Sequence, residues 1–159
     1  MAGRYWLFKS EPDVFSIDDL ARAAKQTTSW NGVRNFQARN LLRDEISVGD
    51  GVIFYHSSAE PPGAAGLAEV SRAGYPDETQ FDPQSDYYDA ASEPDDPRWF
   101  MVDIKFKEKF ARFLPLEELR ATPALKDMVL LRRGSRLSVQ PVTSAEWKAI
   151  VGLGRRKSR

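Results

Sequence analysis

Hydrophobic and polar positions change rhythm several times along this chain, and each change predicts an element. Tyr5-Trp6-Leu7-Phe8-Lys9 is a short aromatic and apolar run stopped by Ser10-Glu11-Pro12, the pattern of a strand. Ser16-Ile17-Asp18-Asp19 follows, with a serine to cap a helix and carboxylates for its first turn. Ile17, Leu20, Ala21 and Ala24 then recur at helical spacing and predict one buried stripe. A second helix is predicted over 35–45, with Ala38, Leu41 and Leu42 turned inward and Arg39 and Arg43 sharing another face. Past the turn Ser47-Val48-Gly49-Asp50, the β-rich run Gly51-Val52-Ile53-Phe54-Tyr55-His56 predicts a second strand, and Gly66-Leu67-Ala68-Glu69-Val70 a third.

From Trp99 the alternation is strict: Phe100, Val102, Ile104 and Phe106 on one side, Trp99, Met101, Asp103 and Lys105 on the other. Pro115 suits the first turn of a short helix over 116–119. Leu137-Ser138-Val139-Gln140-Pro141-Val142 is strand-like, with Pro141 marking an edge or end. Thr143-Ser144-Ala145-Glu146 fits a capping box for a last helix that turns Trp147, Ile150 and Val151 to one face. Between these, residues 75–98 are rich in proline and acid and predict a long excursion. Strands dominate without a βαβ rhythm. The expectation is an α+β fold, a small mixed β-barrel, closed or nearly so, flanked by short helices.

Composition narrows the function classes. At 159 residues the chain predicts one domain over 1–154, with the basic run 155–159 as a disordered tail. It has no cysteine, so disulfides and thiolate zinc sites are excluded and a reducing compartment fits. The longest apolar runs fall short of a membrane span and the first residues lack a signal-peptide core. A cytoplasmic monomer without cofactor or membrane partner is expected, with nucleoid association as an alternative and a nuclear location if the source is eukaryotic. Net charge is zero but unevenly spread. Eight of the 23 acidic residues fall in 77–97, which has no Lys or Arg, leaving 23 basic against 15 acidic elsewhere. A basic body of this kind suits a polyanion, and the acidic segment could shield it from non-specific binding.

The chemistry concentrates in Trp30-Asn31-Gly32-Val33-Arg34-Asn35-Phe36-Gln37-Ala38-Arg39-Asn40. Aromatic faces stack on planar rings, carboxamides match a nucleobase edge, and arginines near a helix start add to its pull on phosphate. These are the parts of a nucleotide site. A turn before an ordinary amphipathic helix, with Trp30 in the core, is the simpler alternative.

Five ordered blocks resemble one family: Tyr5 to Pro12, Trp30 to Asn35, Gly49-Asp50 with Phe54-Tyr55-His56-Ser57, Pro97 to Asp103, and Arg136 to Val142. Together they resemble the EVE domain of the PUA-like superfamily, which also holds the YTH readers of methylated RNA. The resemblance implies a pseudo-barrel whose pocket admits one flipped-out base, with modified cytosine in DNA favoured over a modified base in RNA. Carried over, it places Ser10, Trp30, Val33, Asn35, His56, Ser57, Ser138 and Gln140 in the base pocket. Lys9, Arg34 and Arg39 would hold phosphate. After His56 this chain reads Ser57-Ser58-Ala59 where the family pattern leads one to expect asparagine.

Two other classes compete. A metal-dependent nuclease would use Asp95, Asp103 and Lys105, the last two sharing a strand face; more simply, Asp103 would pair with Arg98 or Arg136. The other is a protein-binding adaptor. Nucleophilic catalysis lacks support, because no third group is placed beside His56 and Ser58. A non-catalytic reader is the expectation.

Overall fold

Strand β1 (Tyr5–Ser10) lies inside a six-stranded sheet, parallel to β3 (Gly51–His56) and antiparallel to β6 (Val139–Val142). The computed structural model describes residues 3–134 and 136–156. Ser135 and the 157–159 part of the predicted tail lie outside them. With β2 (Thr27–Ser29), β4 (Gly63–Pro76) and β5 (Phe100–Pro115) the strand order is β2-β5-β4-β3-β1-β6. The sheet is mixed, as expected, but not closed: β2 and β6 are its two edges among the described residues.

Alternation along the central strands separates two cores. Trp6, Phe8, Val52 and Phe54 face one side with Trp30, Val102, Ile104 and Val139. Leu7, Ile53 and Tyr55 face the other with Leu67, Phe110 and Leu114. Burial on both faces explains why β1 and β3 read as unbroken apolar runs. Helix α1 (Ile17–Arg22) and α2 (Phe36–Asn40) contribute Ile17, Leu20 and Ala38 to the first core. Helix α3 (Leu116–Arg120) and α4 (Ser144–Arg155) contribute Leu119, Ile150 and Val151 to the second. The predicted caps form: Ser16 with Asp19, and Thr143 with Glu146, each a reciprocal capping box.

Four expectations change. The second helix is α only over Phe36–Asn40 and widens to a π turn over Leu41–Glu45. Strand β5 runs nine residues past Phe106. Its register against β4 skips between Ala68↔Phe106 and Leu67↔Glu108. One extra residue reverses which face even positions meet, so Val102 and Ile104 join one core and Phe110 and Leu114 the other. Arg155 is no tail residue, for it ends α4 and meets Glu108 at 2.7 Å. Nor is 77–97 simply a solvated loop: Asp77, Gln80 and Ser92 are buried, and Asp89 accepts from the Trp99 indole at 2.7 Å. No helix among the described residues is long and apolar enough to cross a membrane.

Candidate functional site

The sheet edge beside β2 and the chain that follows it form one wall of a cavity of about 520 Å³. The end of β1 and the turn after it supply Lys9, Ser10, Glu11, Val14 and Phe15. Thr28 through Arg34 line the opposite stretch, and Tyr87 and Ser138 close the remainder. That volume lies within the ~300–1,000 Å³ usual for small-ligand sites.

Each wall is fixed by local physics. The turn 11–15 is held by Val14 N–H and Phe15 N–H on the Glu11 carbonyl, both at 2.9 Å, and by Ser10 Oγ–H on the Phe15 carbonyl at 2.5 Å. Gly32 has φ +83°, a left-handed conformation open to glycine, and the Tyr87 ring lies where its Cβ would be, 2.6 Å away. Below them Asp77, fully buried, accepts from Gly32 N–H at 2.8 Å, Thr79 N–H at 2.9 Å and Arg34 Nη1 at 3.1 Å. Burial pushes the Asp77 pKa up, but the bonds from Thr79, Gly32 and Arg34 outweigh it and hold it below the ordinary carboxylate value. The acidic segment is therefore a wall of the site, and deleting it would remove Tyr87 rather than test shielding.

Of the predicted pocket residues, Ser10, Trp30, Val33 and Ser138 do line the cavity. Trp30 is 9% exposed, its ring tilted against Phe8 at 5.3 Å and perpendicular to Phe54 at 5.6 Å between centroids, so the core holds most of its surface and little of it is open to the cavity. Four others do not line the cavity. Asn35 is spent as the N-cap of α2, accepting from Ala38 N–H at 3.0 Å. His56 accepts from Ile17 N–H at 3.1 Å through Nε2, capping α1. Burial lowers its pKa, partly offset by Asp18 and by Asp19, with Lys109 adding to the lowering. Ser57 donates its N–H to the Ser10 carbonyl at 2.9 Å, and Ser58, where asparagine was expected nearby, takes the left-handed φ of +51°. Gln140 pairs with Leu7 and neighbours Val139, so its side chain lies on the other face of the sheet, with Nε2 on the Leu137 carbonyl at 2.8 Å.

The predicted phosphate set also divides. Arg34 spends all five N–H bonds internally, on Asp77, Thr79 and the carbonyls of Val33 and Tyr87, while its guanidinium sits 5.2 Å from the Trp99 ring centroid and 5.6 Å from that of Tyr87. It is a strut. Arg39 is held by the Arg98 carbonyl at 2.6 Å and Asn40 Oδ1 at 2.9 Å, above the Phe36 ring, and keeps further donors for solvent. Lys9 lines the cavity itself, half-buried, and desolvation lowers its pKa. Sequence reasoning missed Val14, Phe15, Thr28 and Tyr87; the pair Tyr87-Tyr88 inside an acidic run was the one available signal.

The nuclease set is not assembled as that reading requires. Asp103 accepts a hydrogen bond from the Tyr75 hydroxyl rather than pairing with Arg98 or Arg136. Asp95 lies in an exposed turn, and Lys105 is exposed on β5. Among the described residues, no group of three or more His, Asp and Glu side chains could hold a metal ion.

A mixed sheet with a cavity opening beside its edge strand is the frame on which this site is built. The chain belongs to the EVE domain family, whose model matches residues 4–153. It is 45% identical over 94% of its length to 73% of human thymocyte nuclear protein 1. Its fold matches a crystal structure of the human THYN1 protein in complex with 5-methylcytosine containing DNA, with a TM-score of 0.91 at 42% identity, covering 98% of this chain and all of that one. A Pseudomonas putida protein of known crystal structure matches at TM-score 0.89 and 50% identity over 94% of this chain and 98% of the other.

Proposed function

We propose that this chain binds nucleic acid without catalysis and takes one modified base, 5-methylcytosine in DNA before others, into the cavity beside β2. The observation that carries the reading is a cavity of about 520 Å³ lined by the apolar residues Trp30, Val33 and Phe15 together with the polar residues Lys9, Ser10 and Ser138. A relative with this fold forms a complex with 5-methylcytosine containing DNA. Extruding a base costs a few kcal/mol of unstacking, recovered by apolar contact and edge hydrogen bonds inside a dry pocket. A methyl group in an apolar slot adds about 1–3 kcal/mol, so preference rather than absolute selectivity is expected. Arg39, outside the cavity with donors to spare, is the phosphate contact of this reading.

The test is a titration of matched single- and double-stranded oligonucleotides carrying cytosine, 5-methylcytosine, 5-hydroxymethylcytosine or N6-methyladenine. The control is Thr28→Trp, a cavity-lining position whose strand partner Ile104 belongs to the same core as Trp30, so the larger ring fills the cavity from that face. Trp30→Ala is unsuitable, since truncating a buried tryptophan costs about 3–5 kcal/mol of stability. Preference for one modified base, lost in Thr28→Trp, supports the reading. Equal, salt-sensitive binding to all strands, unchanged by the variant, refutes it.

A further inference from the structure

Extruding a base from a duplex leaves a gap, and the bases on either side of it lose their stacking. Proteins that open base steps frequently set an apolar side chain into the space they create. Such a side chain must stand at the mouth of the pocket, be exposed before DNA arrives, and sit on backbone stiff enough to hold it there.

Five large hydrophobic side chains are exposed among the described residues: Val14, Phe36, Val48, Tyr87 and Tyr88. Of these, Val14 and Tyr87 line the cavity. The Tyr87 ring is committed, covering Gly32 and lying 5.6 Å from the Arg34 guanidinium. Val14 has no such duty, for it is 72% exposed and belongs to neither core. A residue that lines a cavity yet shows most of its surface to solvent stands at the rim.

The turn that carries it is stiff. Glu11-Pro12-Asp13-Val14 closes through the Val14 N–H on the Glu11 carbonyl at 2.9 Å, with Pro12 at the second position, where its fixed φ suits a β-turn. Phe15, the next residue, packs against Phe54 at 6.4 Å, and its carbonyl accepts from Ser10 Oγ–H at 2.5 Å. A branched β-carbon leaves Val14 few rotamers, so insertion costs it little side-chain freedom. The neighbouring charges indicate which part of DNA this turn meets. Glu11 and Asp13 are exposed carboxylates, which phosphate repels, so the turn is not a backbone contact. The base stack carries no such charge and accepts an apolar side chain.

We propose that Val14 is a wedge that enters duplex DNA where the base has left it and fills the gap beside the orphaned guanine. The proposal rests on the base-pocket reading and deepens it: the base is taken from a duplex, not only from a free strand. Two tasks are then divided along one rim, the cavity receiving the base and the 11–15 turn holding the duplex open.

The experiment compares a short duplex bearing one central 5-methylcytosine with the same methylated strand alone, and each with its unmethylated counterpart. Affinity is measured for the wild type, Val14→Ser, Val14→Leu and Val48→Ser, with thermal melts to establish that each variant is folded. Val48 is an exposed valine that does not line the cavity, so its variant controls for loss of a surface apolar group. Val14→Ser should weaken binding of the methylated duplex about tenfold, the scale of burying one valine side chain, and leave the single strand within about twofold. Val14→Leu should restore the duplex, Val48→Ser should change neither form, and the salt dependence of Val14→Ser should match that of the wild type. Equal weakening of duplex and single strand overturns the wedge and places Val14 against the bound base instead. No change in either form overturns it as well. A wild type that prefers the methylated single strand but does not bind the duplex overturns the wedge while leaving the base pocket intact. Indifference to methylation in both forms overturns this proposal together with the base-pocket reading.

Discussion

Replacing Asp77 by alanine should unlatch the acidic segment from the cavity. The carboxylate is completely buried and accepts from Gly32 N–H at 2.8 Å, Arg34 Nη1 at 3.1 Å, Thr79 N–H at 2.9 Å and Thr79 Oγ1 at 2.5 Å. Removing it strands the Arg34 charge, whose side chain is 22% exposed, and leaves the Gly32 N–H without its acceptor. Breaking a buried pair costs about 3–5 kcal/mol, and the retained Tyr87 and Val33 carbonyl bonds and partial exposure of Arg34 place this case near the lower end, about 3 kcal/mol. Urea melts of wild type, Asp77→Ala, Arg34→Met and the double variant measure it. The double variant should recover part of the loss, since the uncompensated charge goes with it. Because the Asp77 pKa is held below its ordinary value, its contribution is fully present above the unfolded carboxylate value near 3.9 and is lost as pH falls through the lower folded value. The Asp77→Ala loss should therefore be the same at pH 5 and pH 7. A loss under about 0.5 kcal/mol, the range of ordinary surface substitutions, refutes the latch.

Gly32→Ala combines a left-handed backbone with a methyl group 2.6 Å from the Tyr87 ring; it should cost more than about 1 kcal/mol in a thermal melt and weaken oligonucleotide binding by displacing that wall. His56→Gln tests the α1 cap: His56 is favoured neutral, so its stabilisation is fully present above the ordinary value near 6.5 and erodes as pH falls through its lower folded value. The melting-temperature advantage of wild type over His56→Gln should shrink from pH 7.5 to pH 5, as followed by circular dichroism, while 5-methylcytosine preference at pH 7.5 stays unchanged. Arg39→Ala should weaken binding to all sequences alike and lower the slope of log affinity against log salt by about 0.7–0.9, the signature of one lost phosphate contact. A change in base preference would place Arg39 at the base instead.

What could be read from the sequence was what local physics decides. The caps at Ser16 and Thr143, the apolar runs of β1 and β3 and the block around Trp30 follow from short-range rules, and the structure keeps them. The errors came where two roles compete for one residue type. Asn35 carries a carboxamide suited to a base edge, but the same oxygen is a good helix cap, and the cap wins. His56 is diverted likewise. Gln140 was misplaced by parity alone, one residue from Val139 and hence across the sheet. The reach of β5 was hidden because a one-residue register skip reverses its alternation after Phe106. Tyr87 could not be placed for another reason: its approach to Gly32 spans 55 residues of chain and depends on the buried Asp77 latch.

The central claim is that the cavity beside β2 receives the base. A crystal structure of this chain with a short DNA strand bearing one 5-methylcytosine tests it most directly. The account predicts the modified base against Trp30 and Val33 and beside Ser10, with the flanking phosphates outside near Arg39. DNA bound elsewhere on the basic surface, with the base still stacked in the strand and the cavity holding only solvent, would contradict it.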